Sequence, residues 1–324
     1  MTGAGRGLVV VGSLNVDTTS YVRDFPAPGE TITAHGLLVA LGGKGTNQAV
    51  AAHRFGADVT LVARTGADAN ARMARDTLAA LGLSLDGVEE LVDAPTGAAA
   101  ITVADSGENT VIVASGANAR LLPAAVDDVR DRIAAARVVL TQGELPRETI
   151  EHLAAAADAV GTRFVLNLAP SIVVSSAALA VADPLVVNEH EARAVGIAPD
   201  GDAEGATSAW LVAAQAAVEA GTARSVVITL GAAGAVTAEP GLARACPAPR
   251  VVPVDTTGAG DGFTGTLAAA LAEGRPLAGA VEVAVAAGAL AVQARGTVGS
   301  YAPREAVLEA AAAAAAATAG PATT

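Results

Sequence analysis

Short apolar runs alternate along the chain with longer stretches that are rich in alanine and compatible with helix. Apolar runs without polar interruption are typical of strands that are covered on both faces. They predict strands at residues 8–13, 59–63, 138–141, 164–168, 185–187 and 226–230. The intervening pattern predicts helices that include residues 42–55 and 70–81. Because strands that alternate with helices form parallel βαβ units, the pattern predicts an α/β protein.

Two places interrupt this alternation. Residues 18–23 and 31–39 have strand character with no helix between them. Residues 98–104 and 110–114 flank the sequence Asp-Ser-Gly-Glu at 105–108, which is typical of a hairpin turn. Two interpretations remain open. These strands form either a small separate sheet that covers the carboxyl ends of the main strands as a lid, or ordinary edge strands.

Composition narrows the class of protein. The 324 residues carry a formal net charge of −13, which would repel phosphates, so no nucleic-acid partner is expected. The longest apolar stretch, residues 276–293, is mostly alanine and contains Glu282, which predicts a packed helix and no membrane span. No signal peptide is recognised, and the single cysteine, Cys246, fits a reducing compartment, so a cytoplasmic location is expected. Residues 306–317 predict a surface helix, followed by a frayed tail at 319–324.

The glycine-rich segment at residues 251–266, VVPVDTTGAGDGFTGT, predicts an anion site. Glycines allow a sharp turn into the helix that follows, whose first N–H groups then point outward at the positive end of the helix dipole. Such a terminus binds phosphate groups. Asp261 lies within it and has two interpretations, both open. It is either a base that takes a proton from an alcohol during phosphoryl transfer, or the N-cap of its helix.

Two further segments carry polar residues next to predicted strand or helix ends. Residues 41–48, LGGKGTNQ, open a helix and contain Lys44, the only lysine of the chain. A cation is slightly unfavourable at a helix N-terminus, which favours a ligand there, although chance placement is the alternative. Asn15 and Asp17 follow the first strand and face the same way. An amide and a carboxylate together suit sugar hydroxyls, and loop capping is the alternative.

Polar residues also follow two other predicted strands. Glu144 follows the strand at residues 138–141, and the segment Asn-Glu-His-Glu at residues 188–191 follows the strand at 185–187. A carboxylate in the second segment suits a magnesium-bound water. The alternative is an ordinary helix N-terminus with acidic residues in its first turn.

These motifs together resemble the PfkB carbohydrate kinase family, in its ribokinase branch, over about residues 9–307. The matching motifs are GSLNVD (12–17), FPAPGET (25–31), GGKGTNQAVAA (42–52), SGEN (106–109), NEHEA (188–192), TLGAAG (229–234) and DTTGAGDGF (255–263). The resemblance implies one kinase domain at residues 1–318 with a doubly wound α/β/α fold and a small β-sheet lid. The lid strands would come from about 15–40 and 96–115, and two lids would pair in a homodimer.

The resemblance also implies an activity and its residues. The expected reaction is ATP-dependent phosphorylation of the 5-hydroxyl of D-ribose, with Mg²⁺ and an activating K⁺. Asp261 would be the base, and the anion hole would consist of Gly258, Ala259 and Gly260. The sugar would contact Asn15, Asp17, Gly43, Lys44, Asn47, Glu144 and Asp261. The nucleotide would contact Asn188, Thr229, Gly231, Gly234, Gly260 and Val285. The monovalent cation would lie among Asp255, Thr257, Ala291, Ala294, Gly296 and Ser300, and Glu191 would act on magnesium through water.

Other activities are compatible with part of this pattern. Deoxyribose or another pentose is the nearest alternative acceptor within the same family. A nucleoside kinase would want aromatic stacking partners, and only Tyr21 and Phe25 lie near the predicted lid. A non-catalytic sugar-binding regulator would have no need of a base at Asp261. Val285 stands where many relatives carry Asn or His near the adenine, so one nucleotide contact differs.

Overall fold

The computed structural model describes residues 7–199 and 206–319. The strands are β1 (Gly7–Val11), β2 (Asn15–Val22), β3 (Gly36–Gly42), β4 (Asp58–Gly66), β5 (Val88–Leu91), β6 (Gly97–Ala104), β7 (Asn109–Ala114), β8 (Val138–Gln142), β9 (Arg163–Asn167), β10 (Leu185–Asn188), β11 (Val226–Thr229), β12 (Ala235–Glu239) and β13 (Leu242–Cys246). The α-helices are α1 (Lys44–Arg54), α2 (Ala69–Ala80), α3 (Pro123–Asp127), α4 (Arg130–Ala135), α5 (Arg147–Val160), α6 (Ser176–Val181), α7 (Glu189–Ala194), α8 (Thr207–Glu219), α9 (Ala259–Ala272), α10 (Leu277–Ala291) and α11 (Arg304–Ala319).

The main sheet contains nine strands in the order β13-β12-β11-β10-β9-β8-β1-β4-β5. Every neighbouring pair from β11 to β5 is parallel. Successive residues of β1 face opposite sides. Leu8 and Val10 pack in a core with α1, α9 and α10, whereas Val9 and Val11 pack in a second core with α5 and α8. All six apolar runs that predicted strands are strands of this sheet, and the predicted doubly wound α/β fold is confirmed.

A separate four-stranded sheet has the order β3-β2-β6-β7. Its existence confirms the predicted lid sheet, and the interpretation as edge strands of the main sheet is wrong. Predicted boundaries in this sheet differ from the observed ones: β3 spans Gly36–Gly42 rather than residues 31–39, and β2 begins at Asn15 rather than at residue 18. Gly36 is the first residue of β3, and it pairs with Tyr21 near the end of β2. Before Gly36 the pairing continues only as the bond from His35 N–H to the Tyr21 carbonyl at 2.9 Å, and the ladder then ends.

The edge of the main sheet contains a hairpin that the hydrophobic pattern did not predict. β12 runs antiparallel to β11, and β13 runs antiparallel to β12 across a turn at Pro240 and Gly241. The two strands are short and contain few large apolar residues, so their sequence has the character of a loop. They nevertheless lie beside the 3₁₀ turn Gly231–Ala233, within the segment that the sequence assigns to the nucleotide.

Small residues allow the helices behind the site to approach closely. A Cβ on Gly265 of α9 would overlap the backbone carbonyl of Gln48 in α1. This close crossing brings the first turns of α1 and α9 together, which sets the position of the candidate site. The predicted packed helix at 276–293 corresponds to the buried α10. In the described part of the chain, no helix is long and apolar enough to cross a membrane.

The end of the chain follows the sequence pattern as far as the structure describes it. The surface helix predicted at residues 306–317 is part of α11. The tail predicted at 319–324 lies outside the described residues, apart from Ala319, which ends α11.

Candidate active site

The candidate site lies where β1, β8, β9 and β10 end and where α1 and α9 begin. Ligands of open α/β sheets bind beyond the carboxyl ends of the strands, at places where the strand order changes direction. Here β1 lies between β8 and β4, so the loops after β1 and β8 meet above adjacent strands. The lid strand β2 follows β1 directly and carries Asn15 and Asp17 into the same region.

Asp261 lies at the centre of this region and is 7% exposed. It belongs to the first turn of α9, whose N-cap is Gly258. Its carboxylate forms no cap, and instead accepts hydrogen bonds from two amides of α1. Asn47 Nδ2 donates to Oδ2 at 3.0 Å, and Gln48 Nε2 donates to Oδ1 at 2.8 Å. The interpretation of Asp261 as an N-cap is therefore wrong.

The start of α9 offers free backbone donors. Gly258 has a φ of 74°, a left-handed conformation that glycine adopts without strain, and a Cβ there would lie 2.9 Å from Tyr301 Oη. Ala259 N–H donates to Thr256 at 3.3 Å, whereas the N–H groups of Gly258 and Gly260 have no acceptor among the described residues. Two free donors at the positive end of a helix dipole form an anion site.

A cluster of charged side chains lies on the lid side of Asp261. Burial, followed by the nearby charges of Glu144 and Asp261, raises the pKa of Asp17 from 3.8 to about 6. Asp261 and then Glu144 raise the pKa of Lys44, against burial, which would lower it. Glu144 is fixed through one oxygen, which accepts from Ser13 Oγ at 2.6 Å and from Lys44 N–H at 3.0 Å.

Some polar atoms in this cluster have no partner among the described residues. Asp17 Oδ1 and Asn47 Oδ1 are buried and accept no hydrogen bond. A buried acceptor without a donor costs free energy, so both atoms are ready to bind the hydroxyl of a ligand. Asn15 is held beside them, because Asn118 Nδ2 donates to Asn15 Oδ1 at 2.7 Å. The structure thus brings Asn15, Asp17, Gly43, Lys44, Asn47, Glu144 and Asp261 together as one cluster of polar groups, which we call the polar pocket.

The other side of Asp261 opens into a cavity of about 140 Å³. Asn188, the last residue of β10, and Glu191 of α7 line it together with Lys44 and Asp261. Asn188 caps α7, since its side chain accepts from Glu191 N–H and the Glu191 carboxylate accepts from Asn188 N–H, both at 2.8 Å. Burial raises the pKa of Glu191. The ordinary helix-terminus interpretation therefore holds for this pair, and the same carboxylate also faces the cavity.

Residues predicted for the nucleotide divide between two cavities. Thr229 and Gly260 line the first with Asn188, whereas Val285 lines a second cavity of about 340 Å³ with Cys246 and Glu282. Gly231 and Gly234 form the turn between β11 and β12, and a Cβ on Gly234 would overlap the Cys246 carbonyl. Burial raises the pKa of the Cys246 thiol to about 11, so the thiol stays protonated at neutral pH.

Hydrogen bonds join three of the residues predicted for a monovalent cation, Asp255, Thr257 and Gly296. Asp255 Oδ1 accepts from Thr257 N–H and Oδ2 accepts from Gly296 N–H, both at 2.9 Å. Burial would raise the pKa of Asp255, but the hydrogen bonds from Gly296 and Thr257 outweigh burial and lower it. Ala291 and Ala294 lie in the adjoining turn, joined by a bond of 3.3 Å between Ala294 N–H and the Ala291 carbonyl. Ser300 Oγ is engaged with the Thr297 carbonyl at 2.7 Å.

Comparison with models of known protein families gives a match that includes every residue of the candidate site. The model described as the pfkB family carbohydrate kinase matches residues 6–319. The chain belongs to the pfkB family of carbohydrate kinases.

Individual members of the pfkB family are similar along nearly their full length. Ribokinase of Haemophilus influenzae is 35% identical over 304 residues, which is 94% of this chain and 98% of the relative. The deoxyribokinase of Salmonella typhi is 30% identical and covers 91% of this chain and 95% of its own. The structure of Arabidopsis thaliana ribokinase complexed with ribose and ATP has a TM-score of 0.86 at 30% identity, over 95% of this chain and 99% of that one. These findings confirm the predicted family, its ribokinase branch and the phosphotransferase class.

The sequence did not assign three buried amides of this pfkB kinase to the site. Gln48, Gln142 and Asn167 are 0%, 0% and 7% exposed and form a hydrogen-bonded network that reaches Asp261. Glutamine and asparagine are mostly exposed in proteins, so their burial is not expected from a sequence. The signal was their position: Gln48 follows Asn47 in the motif of α1, and Gln142 ends an apolar strand.

Proposed function

We propose that this pfkB kinase transfers the γ-phosphoryl group of ATP to the 5-hydroxyl of D-ribose, giving D-ribose 5-phosphate and ADP. The observation that carries the proposal is the position of Asp261. Its buried carboxylate lies between a polar pocket with two unpartnered acceptors and the free N–H groups that begin α9. The ribokinase relatives support ribose as the acceptor. One kinase domain over residues 1–318 is part of the proposal.

In the proposed reaction Asp261 acts as the base. It takes the proton of the acceptor hydroxyl while that oxygen attacks the γ-phosphorus, and the bond from the γ-phosphorus to the bridging oxygen of ADP breaks. Negative charge on the transferred group would be stabilised by the N–H groups of Gly258, Ala259 and Gly260. The N–H groups of Gly258 and Gly260 have no acceptor among the described residues and are fixed at the start of the helix, so they need no rearrangement during the reaction, whereas Ala259 N–H would have to leave the Thr256 carbonyl.

The polar pocket would bind the sugar. Asp17 Oδ1 and Asn47 Oδ1 would each accept a hydrogen bond from a sugar hydroxyl. Asn15, Gly43, Lys44 and Glu144 would complete the pocket. Lys44 would also lie close to the transferred phosphoryl group, since it lines the cavity on the other side of Asp261. A compact ammonium suits a position that faces both ligands.

The two cavities beyond Asp261 would hold the nucleotide. The phosphates would occupy the cavity with Asn188 and Thr229, and the adenine would occupy the second cavity beside Val285, next to the turn of Gly231 and Gly234. Magnesium is commonly bound by one carboxylate, water and the phosphates of the substrate. Glu191 fits that pattern, and no group of three or more metal-binding side chains is found in the described part of the chain. Mg²⁺ would neutralise the phosphate charge.

The proposal includes an activating K⁺. The loop at Asp255 is tied to Gly296 by a hydrogen bond, and this links the start of α9 to the turn after α10. A cation among the carbonyl groups of Ala291, Ala294 and Gly296, with Asp255, Thr257 and Ser300, would stabilise that link. The anion hole would then keep its position when ATP binds.

The lid is proposed to pair two copies of the chain. It exposes apolar side chains on both outer strands: Leu37 of β3 is 68% exposed, and Ile112 and Val113 of β7 are 73% and 51% exposed. Leu37 and Ile112 lie on one face of the lid sheet, and Val113 lies on the other face. Exposed apolar side chains on one face are typical of an interaction site. A second lid would cover the face of Leu37 and Ile112, and the expected form is a homodimer.

A panel of acceptors tests the proposed activity. ADP release is measured with ATP, Mg²⁺ and K⁺ in the presence of ribose, deoxyribose, fructose, adenosine or no sugar. Turnover with ribose well above the others is expected. Turnover with deoxyribose alone would support the second candidate, deoxyribose kinase, which the similarity to the Salmonella typhi deoxyribokinase favours. Sugar binding without any turnover would contradict the kinase and favour a regulator.

A further inference from the structure

Asp261 is the end of a directed chain of buried side-chain amides. Gln142 Nε2 donates to Gln48 Oε1 at 2.8 Å, and Gln48 Nε2 donates to Asp261 Oδ1 at 2.8 Å. Gln48 Nε2 also donates to Asn167 Oδ1 at 2.8 Å. Neither glutamine exposes any surface. Every hydrogen-bonding atom of the Gln48 amide is therefore engaged within the protein, and each bond has one permitted direction.

The direction of this chain follows from the chemistry of its ends. If the Gln48 amide turned by half a rotation, its oxygen would face two acceptors, Asp261 Oδ1 and Asn167 Oδ1. A buried acceptor facing an acceptor loses its hydrogen bond and keeps the desolvation cost. Gln142 donates to Gln48 Oε1 in the observed orientation, and Gln142 Oε1 itself accepts no hydrogen bond among the described residues, so the direction is set by Asp261 and Asn167.

The two members of this hydrogen-bond network that belong to the main sheet, Gln142 and Asn167, are held in place there. Gln142 is the last residue of β8, and a Cβ on Gly12 would overlap its Oε1, so the glycine after β1 leaves the space that this amide occupies. Asn167 is the last residue of β9, and its Nδ2 donates to the Val186 carbonyl at 3.1 Å. This bond turns Asn167 Oδ1 towards Gln48. The sheet thus determines the orientation of an amide that belongs to α1.

We propose that Gln48 and Gln142 are positioning residues that hold the Asp261 carboxylate in its reactive orientation. Gln48 binds one carboxylate oxygen and Asn47 Nδ2 binds the other, so the carboxylate cannot rotate about its Cβ–Cγ bond without losing one of them. The remaining lone pairs stay directed at the site of the acceptor hydroxyl. Correct orientation of a base contributes to the chemical step rather than to ligand binding. The inference depends on the proposed role of Asp261 as base.

Substitution of Gln142 tests the proposal without touching a ligand or Asp261. Gln142→Glu removes the donor and places an acceptor against Gln48 Oε1, which displaces the Gln48 amide from its position against Asp261 Oδ1. We expect kcat for ribose phosphorylation to fall about 10- to 100-fold, the loss typical of one hydrogen bond to a charged group, while KM for ribose and ATP changes less than about twofold. Gln142→Met has a similar length without charge, and is expected to give a smaller loss of kcat with the same unchanged KM values.

A matched control separates positioning from a general loss of stability. Thr162→Val removes another buried hydrogen bond, the 2.8 Å bond to the Ile133 carbonyl, at the amino-terminal end of β9, away from the site. It should leave kcat and KM unchanged. Wild-type kcat in both Gln142 variants, or raised KM values with unchanged kcat, would overturn the proposal. If Gln142→Glu does not fold, Gln142→Met decides.

A second readout does not require turnover. The side-chain amide signals of Gln48 in a ¹H–¹⁵N spectrum are assigned by their loss in Gln48→Leu. These signals should shift in both Gln142→Met and Asp261→Asn, because the Gln48 amide is hydrogen-bonded to both Gln142 and Asp261. Unshifted signals in both variants would contradict the hydrogen-bond chain from Gln142 through Gln48 to Asp261. Shifted signals in a protein without ribose-dependent turnover would support the chain and contradict the proposed function, which distinguishes the two failures.

Discussion

Replacing Asp17 with asparagine is expected to make the folded chain more stable while weakening sugar binding. Burial, then the charges of Glu144 and Asp261, raises the pKa of the Asp17 carboxyl from 3.8 to about 6. A carboxylate whose pKa is raised in the folded state is harder to ionise there than in the unfolded chain. Its charge therefore opposes folding at neutral pH. The asparagine side chain keeps the shape and loses the charge.

The magnitude follows from the size of the pKa shift. A rise of about two pKa units at 1.36 kcal/mol per unit corresponds to a penalty of at most about 3 kcal/mol. Because the folded pKa lies above the unfolded value, the penalty is fully present above pH 6. It shrinks as the pH falls from 6 towards 3.8 and is absent below that. For a chain of this length, about 3 kcal/mol corresponds to a rise in Tm of about 4 °C.

Thermal unfolding followed by circular dichroism checks this expectation. Asp17→Asn should raise Tm at pH 8 and leave it nearly unchanged near pH 4, while the ribose affinity at pH 8 falls. Asp68→Asn is the matched control, and it is expected to lower Tm at pH 8. Hydrogen bonds from Thr96 and Ala71 outweigh burial and lower the pKa of Asp68, so its charge favours folding. A lower Tm for Asp17→Asn at pH 8, or the same shift at both pH values, would refute the reasoning.

Three further results are expected. Asn118→Ala removes the bond that holds Asn15, so KM for ribose should rise about tenfold with kcat unchanged, and a fall in kcat alone would contradict that role. The rate should rise when K⁺ replaces tetramethylammonium, and an equal rate in both salts would argue against the cation site near Asp255. Ile112→Asp should convert the dimer to a monomer by light scattering, whereas Val92→Asp, at an exposed valine (91%) outside the lid strands, should not, and a dimer in Ile112→Asp would disprove the lid contact.

The sequence predicted the main sheet well because its strands are buried on both faces. A strand such as β1, whose residues face two cores, must be apolar throughout, and that pattern is local. The hairpin of β12 and β13 lies at the sheet edge, where small and polar residues suffice, so the same signal was absent. The start of β3 was misplaced because pairing with β2, and not propensity, determines where the strand begins.

The candidate site was predicted in part for a similar reason. Asp261 could be singled out by its neighbouring glycines, but the choice between a cap and a ligand-facing carboxylate depended on the donors that reach it from α1. Gln48 and Gln142 are 94 positions apart, and only the packing of α1 against β8 brings their amides together. No local pattern contains that contact. Polar residues with long-range partners are therefore the part of a site that a single sequence reveals least.

The most direct test of the account compares the wild type with Asp261→Asn in the presence of ribose, ATP, Mg²⁺ and K⁺, with ADP and the phosphorylated sugar followed by ³¹P NMR. The account predicts that the wild type forms D-ribose 5-phosphate and ADP in equal amounts. It predicts that Asp261→Asn still binds ribose but turns over several orders of magnitude more slowly. Near-normal turnover in Asp261→Asn, or phosphate on a different hydroxyl, would contradict it.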